Sequence, residues 1–428
     1  MVLEELESRG LVQDTTDRDL LARRLSSGPV SVYHGIDPTA SSLHLGNLIG
    51  VLVLRRFQEA GHRPIALVGG ATGMVGDPSG RSDERNLLDD ETLAANLSGI
   101  RSQLEKLLDL DGEAQLVNNY DWTRDLTLIE FLRDTGKHAT VNQMAAKHSV
   151  RSRMESETGI SFTEFTYMLL QAYDFWWLHS HHDCELQIGG SDQWGNITAG
   201  VDLIRRRSGV QVHGLTWPLL TRSDGAKFGK TAEGAVWLDP ELTSPYRFHQ
   251  YFIQIPDEDV ERSLFQFTLL PVAEIAEVVE AHRRDPGRRG AQRTLANEVT
   301  SLVHGPAAAV AAEEAAGILF GSPVDDMDEA AFEAVAAEVP TSNVSLTADD
   351  GFDAASNSFD LVELLASTGL ASSKGDARRG LSEGSVYVNN ERVSAEASTV
   401  AADRLLFGRY LLLRRGKRRY HLLRAQNP

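Results

Sequence analysis

Two lysines three residues apart, Lys227 and Lys230, sit in the run DGAKFGKT (224–231), although the whole chain holds only 7 lysines beside 35 arginines. An ammonium on a flexible stem is a compact charge that can follow an anion whose charge shifts during a reaction, whereas a guanidinium fork suits a fixed one. Gly225 and Gly229 let such a loop close and reopen. A second set lies in SFTEFTYMLLQAYDFWWL, a helix-like run that is apolar nearly all round, as buried helices are. In it Tyr167, Gln171 and Asp174, at i, i+4 and i+7, fall on one stripe. An interior carboxylate is costly unless it finds partners. The stripe is therefore either a satisfied structural network or the polar wall of a pocket for a small molecule carrying both an amine and a hydroxyl. A third set is YHGIDPTASSLHLGN (33–47). Here Gly35 lets a ligand approach the backbone, and the turn His44–Asn47 opens a helix whose free N–H groups favour phosphate. A further glycine-rich turn, VGGATGMVGDPSGRSDER (68–85, containing Asp77), matches neither G-K-[ST] nor a full G-x-G-x-x-G, so a purely structural turn stays open there, and IGGSDQWGN (188–196) sets Gly189 and Gly190 ahead of a helix beginning near Ser191.

These residues need a scaffold, and the first ~240 residues alternate strand-like and helix-like runs, the pattern of a doubly wound parallel sheet. PVSVYHGID, RPIALVGG and CELQIGG read as strands, and YHGIDPTASSLHLGN with the two glycine-rich turns lies at their carboxyl ends, where such sheets bind ligands. From residue 244 to about 319 the periodicity is helical throughout. Residues 321–356 are acidic, Ala/Ser-rich and Pro-containing, and read as a linker. The last ~70 residues form a small α+β module. The expected boundaries are 1–235, 236–320, 321–356 and 357–428.

A chain of 428 residues with 42% hydrophobic content implies several cores. No run approaches the roughly eighteen apolar residues of a membrane helix, and the single cysteine, Cys184, excludes an intramolecular disulfide and a thiolate cage. A reducing cytoplasm is the expected setting. The net charge of −19 argues against a general polyanion-coating role. It conceals an asymmetry: residues 294–373 hold no Lys or Arg, whereas after Asp403 only basic charges occur, from Arg404 to Arg424. That tail alternates apolar and basic residues like strands with one charged face, which suggests a phosphate backbone as partner.

Taken together, the runs resemble the bacterial tyrosyl-tRNA synthetases, class I aminoacyl-tRNA synthetases. YHGIDPTASSLHLGN is similar to that family's first strand and HIGH signature, DGAKFGKT to its KMSKS loop, and SFTEFTYMLLQAYDF with QIGGSDQWGNITAG to its tyrosine-pocket blocks. TSPYRFHQYF resembles the start of its anticodon-binding helices, and FDLVELLASTGLASSKGDARRGLSEGSVYVNNERV its small RNA-binding, ribosomal-protein-like fold. Two positions depart: Asn47 replaces the second histidine of HIGH, and the loop reads KFGKT instead of KMSKS. Asn47 can donate a hydrogen bond but cannot titrate, and both lysines are kept.

The resemblance implies a Rossmann-like α/β catalytic domain, an all-α domain and a small α+β RNA-binding domain. It implies activation of L-tyrosine by ATP and transfer to tRNA(Tyr). Thr39, His44, Gly46 and Asn47 would hold the phosphates, with Gly35, Asp37, Gly190 and Asp192 around the nucleotide. Arg81 and Arg85 would close over pyrophosphate together with Lys227, Lys230 and Thr231. Tyr33 and Asp174 would bind the phenol, Tyr167, Gln171 and Asp77 the ammonium group, and Gln193 the carboxylate, with Asn119 and Gln187 lining the same pocket. Lys147, Arg151, Arg153, Arg205, Arg206 and Arg207 are candidates for the acceptor stem. Magnesium would arrive with ATP, without a dedicated metal site or prosthetic group. The family pattern further implies a homodimer, with residues 125–170 as candidate interface. Three other readings compete: a tryptophan-activating relative, which has no use for Tyr33 and Asp174 facing a phenol; a dinucleotide oxidoreductase, whose fingerprint is not found; and a non-catalytic RNA-binding regulator, which has no need of the ATP groups.

Overall fold

Short aliphatic and β-branched runs assemble the central sheet in the computed structural model: β1 (Asp14–Thr15), β2 (Ser31–Ile36), β3 (Arg63–Val68), β4 (Gln115–Asn118), β5 (Cys184–Gly190) and β6 (His213–Trp217). The described residues are 1–79, 89–155, 159–223, 225, 228–231, 234–324, 327–346 and 351–426, with backbone alone at 90, 148, 149, 230, 231 and 330. The strand order is β1-β6-β5-β2-β3-β4. β1 runs antiparallel to β6 and all other pairs are parallel. β3 and β6 are buried along nearly their whole length, as parallel strands covered on both faces must be. The expected doubly wound sheet is therefore present.

Three helices matter for the site: α1 (Leu45–Glu59) follows β2, α2 (Phe162–His182) precedes β5, and α3 (Trp194–Ser208) joins β5 to β6. α1 buries residues on almost every side, including Leu48, Val51, Leu52 and Phe57. α2 starts where the Ser161 hydroxyl accepts the Glu164 N–H at 3.2 Å and stops at Asp183, whose φ of 50° turns the chain out of the helix. From β2 the chain steps outward to β3 and β4, then returns to the far side of β2 with β5 and β6. The crossovers diverge between β2 and β5, and a ligand crevice opens at the carboxyl ends of those two strands.

Residue contacts divide the chain into two units, 1–243 with 255–295, and 244–254 with 296–428. The elements between 236 and 320 are helical apart from short connections, as expected: Pro245–Ile253, Asp257–Phe267, Val272–Arg284, Gly290–His304 and Pro306–Leu319. Among the described residues no helix is long and apolar enough to cross a membrane.

Two expectations for the second unit need correction. Residues 321–356 are not simply a linker. Asp328 caps the helix Glu329–Ala336 by accepting the Ala331 N–H at 2.7 Å, Phe332 and Val335 are fully buried, and Thr341–Ser345 pairs in parallel with the strand Arg419–Gln426. The acids there serve as helix start signals, which composition alone cannot tell from solvation. Nor does the basic tail form strands with one charged face. Tyr410–Arg415 and Arg419–Gln426 pair as expected. However, Leu411, Leu413 and Leu423 pack into a core with Leu361, Leu365 and Leu381, whereas Tyr410, Leu412 and Leu422 pack with Ile318, Phe332 and Val335. Both faces are apolar, and Arg414 is buried over the Tyr387 ring, 3.8 Å from its centre. Arg415 grips Asp376 through two contacts of 2.6 and 2.8 Å, and Arg409 meets Glu329 and Glu333. Lys417, Arg418 and Arg419 at the turn remain exposed.

The Arg415 hydrogen bonds, aided by the Ser372 N–H, hold Asp376 well below the usual carboxylate range. A depressed folded-state value stabilises above the unfolded value of about 4, and that contribution is lost as pH falls below it. Scanning calorimetry of the full chain should show wild type melting above Asp376→Asn at pH 7, with the gap closing below about pH 3; a constant gap would refute this.

Candidate active site

The register of the sheet builds the apolar-sided end of the site. Tyr33 on β2 is the direct neighbour of Gln187 on β5, and the Gln187 Nε2 donates to the Tyr33 hydroxyl at 2.8 Å. Tyr33 is 1% exposed, and burial pushes its phenol well above the ordinary value. It therefore keeps its proton, and because its oxygen already accepts from Gln187, that proton is left to donate.

Opposite stands Asp174, on the stripe of α2 that also presents Tyr167 and Gln171. Asn119 Nδ2 donates to its Oδ2 and Trp122 Nε1 to its Oδ1, each at 2.9 Å. Asp174 is 3% exposed, and burial raises it to about 7 despite those two donors. Asn119 also donates to the Thr72 hydroxyl at 3.0 Å, Thr72 to Asp37 Oδ1 at 2.7 Å, and the Tyr167 hydroxyl to Asp37 Oδ2 at 2.8 Å. Gly69 makes this possible: a Cβ there would stand 2.2 Å from the Thr72 hydroxyl and 2.3 Å from Asp37 Oδ1.

A second group lies across the crevice. Gln193 Nε2 donates to Asp77 Oδ2 at 2.7 Å, the Ser79 N–H to Asp77 Oδ1 at 2.9 Å, and Asn196 Nδ2 reaches both Gln171 Oε1 (3.0 Å) and Gln193 Oε1 (3.2 Å). Burial, with Asp77 nearby, raises Asp192 above its ordinary value. At the third side, α1 begins at His44, whose N–H donates to Asn47 Oδ1 at 3.1 Å. A backbone N–H can only donate, so the Asn47 oxygen is fixed inward and its Nδ2 is left as donor.

One cavity of about 320 Å³ collects these groups. It is lined by Tyr33, Gly35, Asp37, Thr39, His44, Gly46, Asn47, Asp77, Tyr167, Gln171, Asp174, Gln187, Gly190, Asp192 and Gln193. Of the expected residues, Asn119 does not line it. It is fully buried behind Asp174 and acts as the donor that holds the carboxylate. Arg81, Arg85 and Lys227 lie outside the described residues. Lys230 and Thr231 are described in their backbone, as a short strand paired with Gly234–Ala235.

Sequence reasoning missed Thr72, Trp122 and Asn196. Trp122 carries a faint signal, three residues after Asn119 in NNYDW; the others carry none. The acceptor-stem candidates also change. Arg153 is buried against Glu164 at 2.7 Å, which withdraws it from that role. Arg205 pairs with Asp202, Arg206 donates to the His138 carbonyl, Arg207 stacks 3.5 Å over Trp176, and Lys147 donates to the Thr198 hydroxyl at 2.8 Å.

Comparison with known proteins gives consistent results. Residues 25–321 match the family described as tRNA synthetases class I (W and Y), and residues 332–423 match the tyrosine--tRNA ligase SYY-like C-terminal domain. The chain is 52% identical to a tyrosine--tRNA ligase of Rhodopirellula baltica, over 100% of this chain and 97% of that one. It is 50% identical to one of Mycobacterium bovis, over 98% and 97% respectively. Among solved structures it resembles a C-terminally truncated mitochondrial tyrosyl-tRNA synthetase of Aspergillus nidulans, with a TM-score of 0.68 and 37% identity over 74% of this chain and 94% of that one.

Trp122 is the testable element behind the carboxylate. A hydrogen bond to a charged group contributes about 1.5 kcal/mol or more, which is about one unit of pKa. Trp122→Phe should therefore move the Asp174 ionisation upward from about 7 by roughly that amount, read by ¹³C NMR of aspartate-labelled protein. An unmoved midpoint would contradict the role.

Proposed function

The chain belongs to the class I tRNA synthetases of the tryptophan and tyrosine group, on its tyrosine--tRNA ligase branch, and from that premise we propose that the cavity holds L-tyrosine and ATP side by side. The activity is tyrosine–tRNA ligation: L-tyrosine and ATP give tyrosyl-adenylate and pyrophosphate, and tyrosine passes to the 3′ end of tRNA(Tyr). The observation that carries the site assignment is a single cavity with Asp174 and Tyr33 at one side and the first turn of α1 at another.

In this reading the substrate phenol donates to Asp174 and accepts from Tyr33. Phenylalanine would leave both groups unmet, a discrimination for which this enzyme family is the standard illustration. The ammonium group rests among Asp77, Tyr167 and Gln171. Gln193 still has a second amide hydrogen to give the carboxylate. The ATP phosphates meet Thr39, His44, Gly46 and Asn47 at the start of α1, where the positive end of the helix dipole favours an anion. Gly35, Asp37, Gly190 and Asp192 surround the rest of the nucleotide. A tyrosine carboxylate oxygen attacks the α-phosphorus, the bond to the bridging oxygen breaks, and pyrophosphate leaves with the electron pair. The protein positions the reactants and stabilises charge, and no protein nucleophile is required. Arg81, Arg85, Lys227, Lys230 and Thr231 are assigned to the departing pyrophosphate. In the second step a ribose hydroxyl of the tRNA attacks the adenylate carbonyl and AMP leaves.

Magnesium is assigned to the ATP phosphates, the usual partners of this cation in nucleotide sites. The exposed Lys417, Arg418 and Arg419 are assigned to tRNA backbone, and the location to the cytoplasm, where the tRNA substrate is charged. A homodimer is supported by Leu128, Ile129, Val141 and Phe162, which are 66–77% exposed within one stretch of the first unit. Such apolar exposure marks an interaction surface.

Two measurements test these readings. ATP–pyrophosphate exchange should proceed with L-tyrosine alone among the amino acids, and Asp174→Ala should erase the preference for tyrosine over phenylalanine. Exchange driven by tryptophan, or none at all, would overturn the site assignment. Sedimentation should show two chains per particle, shifting to one on changing both Leu128 and Ile129 to Asp; a monomeric wild type would remove the dimer.

A further inference from the structure

The lysine loop is held at both ends by one helix of its own unit, Asp257–Phe267. At the near end the Ser223 N–H lies 3.2 and 3.0 Å from the two carboxylate oxygens of Asp259, and the Ser223 hydroxyl donates to Oδ2 at 3.0 Å. Asp259 is 3% exposed. Arg262, one turn on, bonds Asp259 at 2.8 Å and the Thr221 carbonyl at 2.5 Å. At the far end the Phe228 ring stacks on Phe267, with centroids 4.9 Å apart and planes 16° from parallel. The Phe228 N–H also donates to the Leu220 carbonyl at 3.2 Å, closing the base of the loop.

The next residue meets the nucleotide helix. Gly229 has φ +77°, and a Cβ on it would come within 3.0 Å of the Leu45 Cβ in the first turn of α1. Gly229 accepts from the Val236 N–H at 2.9 Å, and Val236 accepts from the Leu45 N–H at 3.0 Å. The other end of α1 is fastened to the same helix, since Arg56 Nη2 donates to the Thr268 carbonyl at 2.6 Å. Loop base and nucleotide helix thus share one support.

We propose that the helix Asp257–Phe267 is the seat of the lysine loop, with Asp259 and Phe267 as positioning residues that fix where Lys230 arises relative to the start of α1. The inference rests on the functional reading above and adds the groups through which the loop is placed. Neither residue lines the substrate cavity. Their contribution should appear in the rate of adenylate formation and not in tyrosine binding, because displacement of a charge-stabilising group by a fraction of a helix turn is felt most in the transition state.

The test uses the full-length protein and the near-isosteric Asp259→Asn, with Phe267→Leu as a second variant on the opposite end of the loop. Adenylate formation is followed by stopped-flow fluorescence, and tyrosine affinity by equilibrium dialysis without ATP. Each variant should slow adenylate formation about tenfold while the tyrosine dissociation constant stays within about twofold. In a Lys230→Ala background, Asp259→Asn should add less than about a further twofold, since the group it positions is gone. Losses that multiply, or tyrosine affinity falling as far as the rate, would overturn the seat. If Lys230→Ala itself leaves the rate unchanged, the loop assignment fails; if it slows the reaction but Asp259→Asn and Phe267→Leu do not, only the seat fails.

Discussion

A carboxylate placed in the interior at the end of a parallel sheet is the constraint on which the site depends. Asp174 is tolerable there only with donors behind it, so Asn119 and Trp122 are committed to it. The commitment propagates. Asn119 also holds Thr72, Thr72 holds Asp37, and Asp37 accepts from Tyr167, which returns to α2 two turns before Asp174. The result is a chain of hydrogen bonds, closed through the backbone of α2, that joins the ends of β2, β3 and β4 to that helix and in which each member orients the next. Removing any one would leave a buried acceptor or donor unmet, which costs more than the lost bond itself. This ring gives the cavity a fixed shape before any ligand enters.

The same ring explains the electrostatics. Asp37, Asp77, Asp174 and Asp192 line one cavity in a protein of net charge −19, yet that cavity is the one proposed to take a triphosphate. Global charge does not decide the matter, because local geometry keeps the two signs apart. In the proposed arrangement Asp77 and Asp174 face the amino acid, whose ammonium group lies beside Asp77, Asp37 and Asp192 border the nucleotide, and the start of α1 offers its dipole and the Asn47 amide to phosphate. Burial and the neighbouring carboxylate both leave Asp174 half-ionised near neutrality. In the proposed arrangement a phenol donating to it would stabilise the ionised form, so ligand and charge would support each other.

Much of this was legible in the sequence because periodicity fixes direction. The i, i+4, i+7 stripe placed Tyr167, Gln171 and Asp174 on one side of α2, and the alternation of strand and helix placed the glycine-rich turns at the strand ends. What was not legible depends on contacts between distant segments. Asn119 looks like a pocket residue in one dimension and proves to be the support of one, because only the fold shows that Asp174 stands between it and the cavity. Arg153 looks like a surface cation until Glu164 is seen 2.7 Å away. The run YLLLRR was read through its charges, whereas its three successive leucines signal a strand covered on both faces. Composition likewise suggested a linker at 321–356, but Asp328 and Glu329 start a helix whose Phe332 fills a core.

The two ends of the cavity differ in how they depend on protons, and this gives a physical sense to Asn47. Charge builds on phosphate oxygens as pyrophosphate departs, and what it needs is a donor present at every working pH. A histidine offers one or two donors according to its ionisation, and its tautomer is set by its surroundings. Asn47 has its oxygen engaged by the His44 N–H, so its amide hydrogens face the cavity irrespective of pH. The phenol end is the reverse, since Asp174 sits near its midpoint at neutral pH. In the proposed reading, proton-dependent recognition of the phenol and proton-independent donation to phosphate thus fall to different side chains, Asp174 and Asn47.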